Sequence, residues 1–539
     1  MSIRIYSASI QGIDAQPVEV EVDSTPGLHV FNIVGLPDKA VEESKDRIAS
    51  AIRNSGLTAP NSKNKKIIVN LAPADVKKEG PAYDLPIAVG YLLETGQLKF
   101  NPAQKMFAGE LSLDGSLKHT NGILSMALLA KSMGMEELII PFINIQEASV
   151  VTDIKIIGAK NIQEVVGHLN GTFVTLVTKV PLGDKTGDKT GDKTDVTKLV
   201  TMSPQMSPMS LHGDSAVTMG LSPSLLFIRG QESAKRGLMI ATAGSHNVLM
   251  NGVPGSGKTI LAKAMAELLP PLSLDEALEV AKIYSSVGLI KGAPLSYDRP
   301  FRSPHHTTSA VAMVGGGSYP KAGEISLAHR GVLFLDELPE FPRNVLEALR
   351  QPLEDGVVTI SRASGSLTIP AKFTLVAAMN PCPCGNYGDE KATCICSPLH
   401  ISRYHKKLSG PLLDRIDIQL HVPREAVTDG AYRADPAEIH KIRRSISKAR
   451  EIQRARFQGQ GIYANAEINY KNIDTLCATD QMAEALLTHA VNTKGLSLRS
   501  YHKIKKLART IADLDTSETI KERHIAEALT LRIRDAYLG

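Results

Sequence analysis

Asn247-Val-Leu-Met-Asn-Gly-Val-Pro-Gly-Ser-Gly-Lys-Thr-Ile-Leu-Ala262 joins a short apolar run to a helical pattern through a glycine-rich loop. The loop Gly252, Val253, Pro254, Gly255, Ser256, Gly257, Lys258, Thr259 fits G-x-x-x-x-G-K-[ST]. Its glycines let backbone N–H groups point into one concavity, and the helix that follows adds positive potential at its N-terminus. That is a cradle for phosphates. Lys258 is placed to bridge the terminal phosphates of ATP and Thr259 to ligate Mg²⁺.

Working outward, Gly331-Val-Leu-Phe-Leu-Asp-Glu337 carries two carboxylates to the end of another apolar run. Asp336 suits the water shell of the Mg²⁺, and Glu337 suits a base that polarises an attacking water. A third run, Phe373 to Ala378, delivers Asn380, an amide able to orient that water. Arg415 and Arg499 remain to neutralise transition-state charge, and such a residue supplied in trans is worth roughly 10³–10⁵ in rate.

Short apolar runs between helical patterns, at Asn247–Asn251, Val332–Leu335 and Phe373–Ala378, predict a sheet covered on both faces. The α/β core is expected over 223–425, with insertions, and a helical lid over 426–539. Lid helices are expected at Pro436–Phe457, Asp480–Thr493, Leu498–Leu514 and Ile520–Arg534, the last capped by Ser517 with Glu518 and Glu522 in its first turn. Residues 1–170 alternate strands (Val18–Val22, Lys66–Leu71, Leu138–Ile140, Ile154–Ile157) with helices at Val41–Asn54 and Ile123–Met133, which predicts an α+β domain. Between these halves, 171–222 holds Gly-Asp-Lys-Thr repeats and a Met-Ser-Pro tract, too polar to offset its ordering entropy. It reads as a flexible linker, with a binding motif as the alternative.

The 539 residues suit three or four such units at ~150 residues each. Hydrophobic residues at 43% and charged ones at 22% are ordinary for a globular chain, and a net charge of +5 permits nucleic-acid binding without arguing for it. No run of about 18 apolar residues predicts a membrane span, and the start lacks the pattern of a secretory leader. With no disulfide framework among five cysteines, the expected compartment is the reducing cytoplasm.

Further stretches carry a resemblance: Arg299-Pro-Phe-Arg-Ser-Pro-His-His-Thr-Thr308, Gly323-Glu-Ile-Ser-Leu-Ala-His329, Leu346-Glu-Ala-Leu-Arg-Gln-Pro-Leu-Glu354, Met379-Asn-Pro-Cys-Pro-Cys-Gly385, Leu408-Ser-Gly-Pro-Leu-Leu-Asp-Arg415 and Ala508-Arg-Thr-Ile-Ala-Asp513. Together they resemble the magnesium-chelatase-like AAA+ ATPases of the bacterial ComM/YifB family, over the whole chain except the linker. The resemblance implies a ring, usually a hexamer, with ATP at subunit interfaces. It makes Asn380 the first sensor, Arg415 the arginine finger and Arg499 the second sensor, on the lid. It also implies pore-facing insertions within roughly 284–326 and a presensor hairpin at Val357–Ile369, with Arg362 near its tip. That arginine could meet a phosphate backbone or merely be solvated.

The amino-terminal domain resembles the Lon-protease fold (ribosomal S5 domain 2-like). On that matching Ala82 stands at the serine position and Leu124 at the lysine position, so neither nucleophile nor base is present and no peptidase activity is expected. Nothing in the sequence pairs the nearby Ser125 and Lys118.

Cys382, Cys384, Cys394 and Cys396 could supply four thiolates to a structural zinc, or stay free, since C-x-C is tighter than the usual C-x₂-C. Cys477 reads as a core residue. His305 and His306, read as neighbours on a strand, would face opposite sides and share no metal. Lys441, Arg443, Arg444, Lys448, Arg450, Arg454 and Arg456 form a basic helix that could meet DNA or be a solvated face. The resemblance implies a motor on single-stranded or branched DNA, driving branch migration in homologous recombination during natural transformation. The alternative is a chelatase-type or chaperone-like ATPase that remodels a protein partner.

Overall fold

The computed structural model describes residues 3–28, 30–62, 64–172, 223–290, 295–317, 321–362, 365–389, 391–425 and 435–532. The expected linker, apart from 171 and 172, and the turn of the expected hairpin at 363–364 lie outside the described residues, as does the side chain of Arg362. The chain divides into two compact units, Met1–Gly213 with Ala277–Ser296, and Asp214–Glu276 with Tyr297–Gly539.

The first unit is built on a seven-stranded mixed sheet. Its antiparallel part pairs Ile3–Gln11 with Asp14–Pro26 and that strand with Lys65–Ala72; Val18, Val20 and Val22 are fully buried while Glu19 and Glu21 face out, the two-residue alternation of a half-covered strand. Glu137–Pro141 and Lys155–Ala159 lie parallel at the far edge. Helix Lys39–Asn54 starts where the Asp38 carboxylate accepts the Val41 N–H at 2.8 Å, and buries Val41, Ile48, Ala51 and Ile52 at helical spacing.

One segment falls elsewhere than its sequence position suggests. Ala277–Ser296, read from sequence as part of the ATPase core, belongs to the first unit. Ala281 joins the cluster around Ile123 and Leu124, the Gly122 N–H donates to the Ser285 carbonyl at 3.0 Å, and the Ser285 hydroxyl donates to the buried Glu147 carboxylate. The helix Leu274–Ser286, which runs into this segment, has an apolar face, but its sequence does not name the partner that covers it.

The second unit holds a five-stranded parallel sheet in the order Phe301–Arg302, Val332–Leu335, Thr374–Met379, Val248–Asn251, Ile418–His421. Every residue of Val332–Leu335 and Thr374–Met379 is buried, as strands covered on both faces must be. After the sheet come helices Pro436–Arg456, Gln481–Lys494, Leu498–Leu514 and Glu522–Arg532. The last begins beyond Ser517, which does not cap it. The Ser517 and Glu518 carbonyls instead accept from the buried Arg509 guanidinium, and the Ser517 hydroxyl turns to the Thr519 carbonyl.

The helices are pinned by a buried charge cluster. Asp513, 1% exposed, accepts from Arg456 (2.5 and 2.9 Å), Arg509 (3.1 Å) and Asn465 (2.8 Å). Removing one member of a buried ionic set strands the others and costs about 3–5 kcal/mol. Asp513→Ala should therefore lower hydrogen-exchange protection of the Leu498–Leu514 amides by roughly a hundredfold or more. Unchanged protection would mean the cluster does not hold the helices.

Candidate nucleotide site

The strand Val248–Asn251 runs into the loop Gly252–Gly257, and helix Lys258–Leu268 starts straight after it. Gly255 (φ 77°) and Gly257 (φ 91°) are left-handed, a conformation that lets successive N–H groups turn inward. A Cβ on Gly252 would come within 2.2 Å of the Val422 carbonyl oxygen, so the strand and the loop can approach only through glycine.

The Lys258 ammonium donates to the carbonyls of Gly252 (2.6 Å) and Val253 (3.0 Å) and to Asn380 Oδ1 (3.1 Å). Burial pushes its pKa down, and the carboxylates of Asp336 and Glu337 oppose that shift only in part. The Thr259 hydroxyl donates to Asp336 Oδ2 at 3.0 Å, which puts a hydroxyl and a carboxylate side by side where a hard cation would take both. Glu337 is exposed and left-handed (φ 52°), and its N–H donates to Asp336 Oδ1 at 3.0 Å. One strand tip thus points one carboxylate at the threonine and leaves the other at the exposed side of the loop. Lys258, Thr259, Asp336, Glu337 and Asn380 are gathered at one edge of the sheet.

His306 also lies at this strand tip. Its Nδ1 lies 3.4 Å from Glu337 Oε2, and its ring lies 4.1 Å from that of His305. The two histidines follow the two-residue strand Phe301–Arg302 and sit in a turn, so the reading that adjacent rings face opposite ways does not hold. The pairing of His306 with a strand-tip carboxylate has no local sequence signal.

Arg415 and Arg499 lie elsewhere. The Arg415 carbonyl accepts from the Asn247 amide at 3.1 Å, at the start of the strand whose far end carries the loop. A four-residue strand spans roughly 13 Å, so Arg415 cannot reach Lys258 of its own chain. Its guanidinium donates to the carbonyls of Arg350 (3.0 Å) and Pro411 (2.6 Å) and to Glu354. Arg499, from the first turn of Leu498–Leu514, donates to the other oxygen of the same Glu354. A cavity of about 890 Å³ opens beside the three, lined also by Arg330, Lys372 and Lys503. Glu354, which joins two distant arginines, carried no sequence signal beyond its place in a family stretch.

The four clustered cysteines converge. Cys382 Sγ lies 3.4 Å from Cys384 Sγ and 3.7 Å from Cys394 Sγ, and Cys384 to Cys394 is 3.6 Å; with Cys396 all four sulfurs fall within 4.8 Å of one another. Four thiolates at about 2.3 Å from one zinc would sit roughly 3.8 Å apart, so the donor set fits the ion. The N–H groups of Asn386 and Ile395 pull the Cys384 thiol down to about 6. Cys477, by contrast, is fully buried in the helical core.

The basic helix Pro436–Arg456 divides its cations. Arg450 is buried and donates to the Thr242 carbonyl and Ser245 hydroxyl, Arg456 belongs to the Asp513 cluster, and Arg443 donates to the Glu267 carbonyl. Lys441, Arg444, Lys448 and Arg454 stay exposed, the first three along one stripe. Among the described residues no helix is long and apolar enough to cross a membrane.

Three family models match the chain: "Magnesium chelatase, subunit ChlI" over residues 224–429, "Subunit ChlI of Mg-chelatase" over 20–144, and "Magnesium chelatase, subunit ChlI C-terminal" over 437–532. The chain is 42% identical to competence protein ComM of Haemophilus influenzae, across 98% of this chain and 97% of that protein. It is 39% identical to YifB of Escherichia coli (99% and 97%) and 35% identical to Rv2897c of Mycobacterium tuberculosis (98% and 98%). With matches along nearly its full length, the chain belongs to the magnesium-chelatase-like AAA+ family, in the group that contains ComM and YifB.

Proposed function

We propose that this protein is an ATPase that forms a ring, hexameric as the family likeness implies, and moves on or remodels DNA, driving branch migration in homologous recombination during natural transformation.

 The observation that carries this reading is the division of the charged set between two edges of one sheet. Lys258, Thr259, Asp336, Glu337 and Asn380 stand at one edge, while Arg415 and Arg499 share Glu354 at the other. A complete hydrolytic site then needs a second copy of the chain, as in a hexameric ring. In this reading Lys258 and the loop amides hold the ATP phosphates, and Thr259 and Asp336 hold Mg²⁺. Glu337 polarises the attacking water, Asn380 orients it, and Arg415 and Arg499 arrive from the neighbour.

DNA enters the proposal through the similarity to a protein named for competence and through the exposed stripe Lys441, Arg444, Lys448, which suits a phosphate backbone. The first unit is read as Lon-like without the dyad. Ala82 and Leu124 offer no reactive group, and the neighbouring Ser125 hydroxyl is committed to the Ile13 carbonyl, which supports a chain without peptidase activity. Zinc at the four thiols and a cytoplasmic setting, where those thiols stay reduced, complete the reading.

Two tests follow from the site. Lys258→Ala should lose nucleotide binding and turnover, and Glu337→Gln should retain bound ATP while turnover falls by about 10²–10⁴; wild-type turnover in the glutamine variant would mean another group activates the water. Single-stranded and forked DNA should stimulate the ATPase at about 50 mM salt and lose their hold toward about 200 mM. Neither stimulation nor DNA retention at low salt, with stimulation by a protein partner instead, would favour a chelatase-type or chaperone-like remodeller.

A further inference from the structure

The cysteine knuckle is built onto the phosphate loop. It leaves the strand Thr374–Met379 directly after Asn380, whose amide is held by Lys258. Gly385 (φ 85°), between the two Cys pairs, lies so close to the loop that a Cβ there would come within 2.6 Å of Pro254 Cγ. Arg424 joins the same two parts, with one nitrogen on the Pro254 carbonyl (3.2 Å) and another on Asp389 Oδ2 of the knuckle (3.2 Å). On the other side, His405 is hydrogen-bonded to the Pro381 carbonyl at 2.9 Å, and the Tyr387 N–H donates to Cys382 Sγ at 3.3 Å.

The knuckle has almost no apolar core with which to hold this shape. Cys382 is fully buried, but Ile395 is 87% exposed and Tyr387 41%. Among the described residues, the segment from Cys382 to Cys396 buries little apolar surface, too little without a metal to offset the entropy of ordering it. A zinc ion on four thiolates supplies that order outright, because the binding energy of a structural zinc is folding energy.

We propose that the zinc knuckle is a brace for the nucleotide pocket: the metal fixes Gly385 against Pro254 and Arg424 between loop and knuckle, so that nucleotide affinity depends on zinc. The zinc takes no part in hydrolysis. This deepens the nucleotide-site reading and rests on it.

The test uses the full chain and the binding of ADP, which needs no catalytic step. Purified protein should carry one zinc per chain. Cys384→Ser with Cys394→Ser should lose the zinc and weaken ADP binding about tenfold or more. Gly385→Ala and Arg424→Ala should keep the zinc and still weaken ADP binding, because they break the brace and leave the ligands intact. Should the cysteine variant fail to fold, mercurial release of zinc from wild-type protein gives the same comparison, with affinity expected to return when zinc and thiol reductant are restored. Zinc well below one equivalent in wild-type protein, or ADP affinity unmoved by its release, would overturn the brace alone. Wild-type protein that binds no ADP would overturn the nucleotide site and the brace together.

Discussion

Everything at the candidate nucleotide site depends on the strands of the central sheet being parallel. Parallel strands bring all their C-terminal ends to one edge, and the loops leaving that edge are where ligands meet side chains in such sheets. Here that edge receives the loop after Asn251, the carboxylates after Leu335 and the amide after Met379. The same rule sends Arg415, which precedes the strand Ile418–His421, to the opposite edge. No side-chain rotation undoes that separation, because the buried strands fix it.

The opposite edge is organised by charge. Glu354 gives one oxygen to Arg415 and the other to Arg499, so a residue of the sheet layer and a residue of the helical C-terminal region are held as a pair. Nearby, the buried Asp417 pairs with Lys503 of the same helix, Leu498–Leu514, at 2.6 Å. Burial alone would raise the Asp417 carboxyl, but Lys503 and His246 outweigh it and hold it below its ordinary range, whereas burial pushes the Lys503 amine down to about 8. The C-terminal helices and the sheet are therefore coupled through ion pairs that lie largely out of water, where such pairs fix geometry more than they add stability.

Much of this was legible in the sequence, for reasons that can be named. The strands Val332–Leu335 and Thr374–Met379 stand out because both faces are buried, so the apolar run is unbroken. The glycine-rich loop is legible because only glycine tolerates its left-handed turns and its approach to Val422. What could not be read was partnership across the fold. Arg443, Arg450 and Arg456 look like part of a basic face, yet each is spent on a structural acceptor. The segment Ala277–Ser296 looks like part of the ATPase half and packs in the first unit. Glu354, His306 and Arg424 gain their meaning only from side chains distant in sequence.

The most direct measurement of a site shared between subunits mixes two inactive variants. Lys258→Ala keeps its arginines, and Arg415→Ala keeps its phosphate loop. Each alone should hydrolyse ATP hardly at all. Mixed in equal amounts and allowed to exchange, they should regain turnover, because roughly a quarter of randomly formed interfaces would pair an intact loop with an intact arginine. Wild-type turnover by Arg415→Ala alone, or a mixture that assembles but stays inactive, would contradict the account.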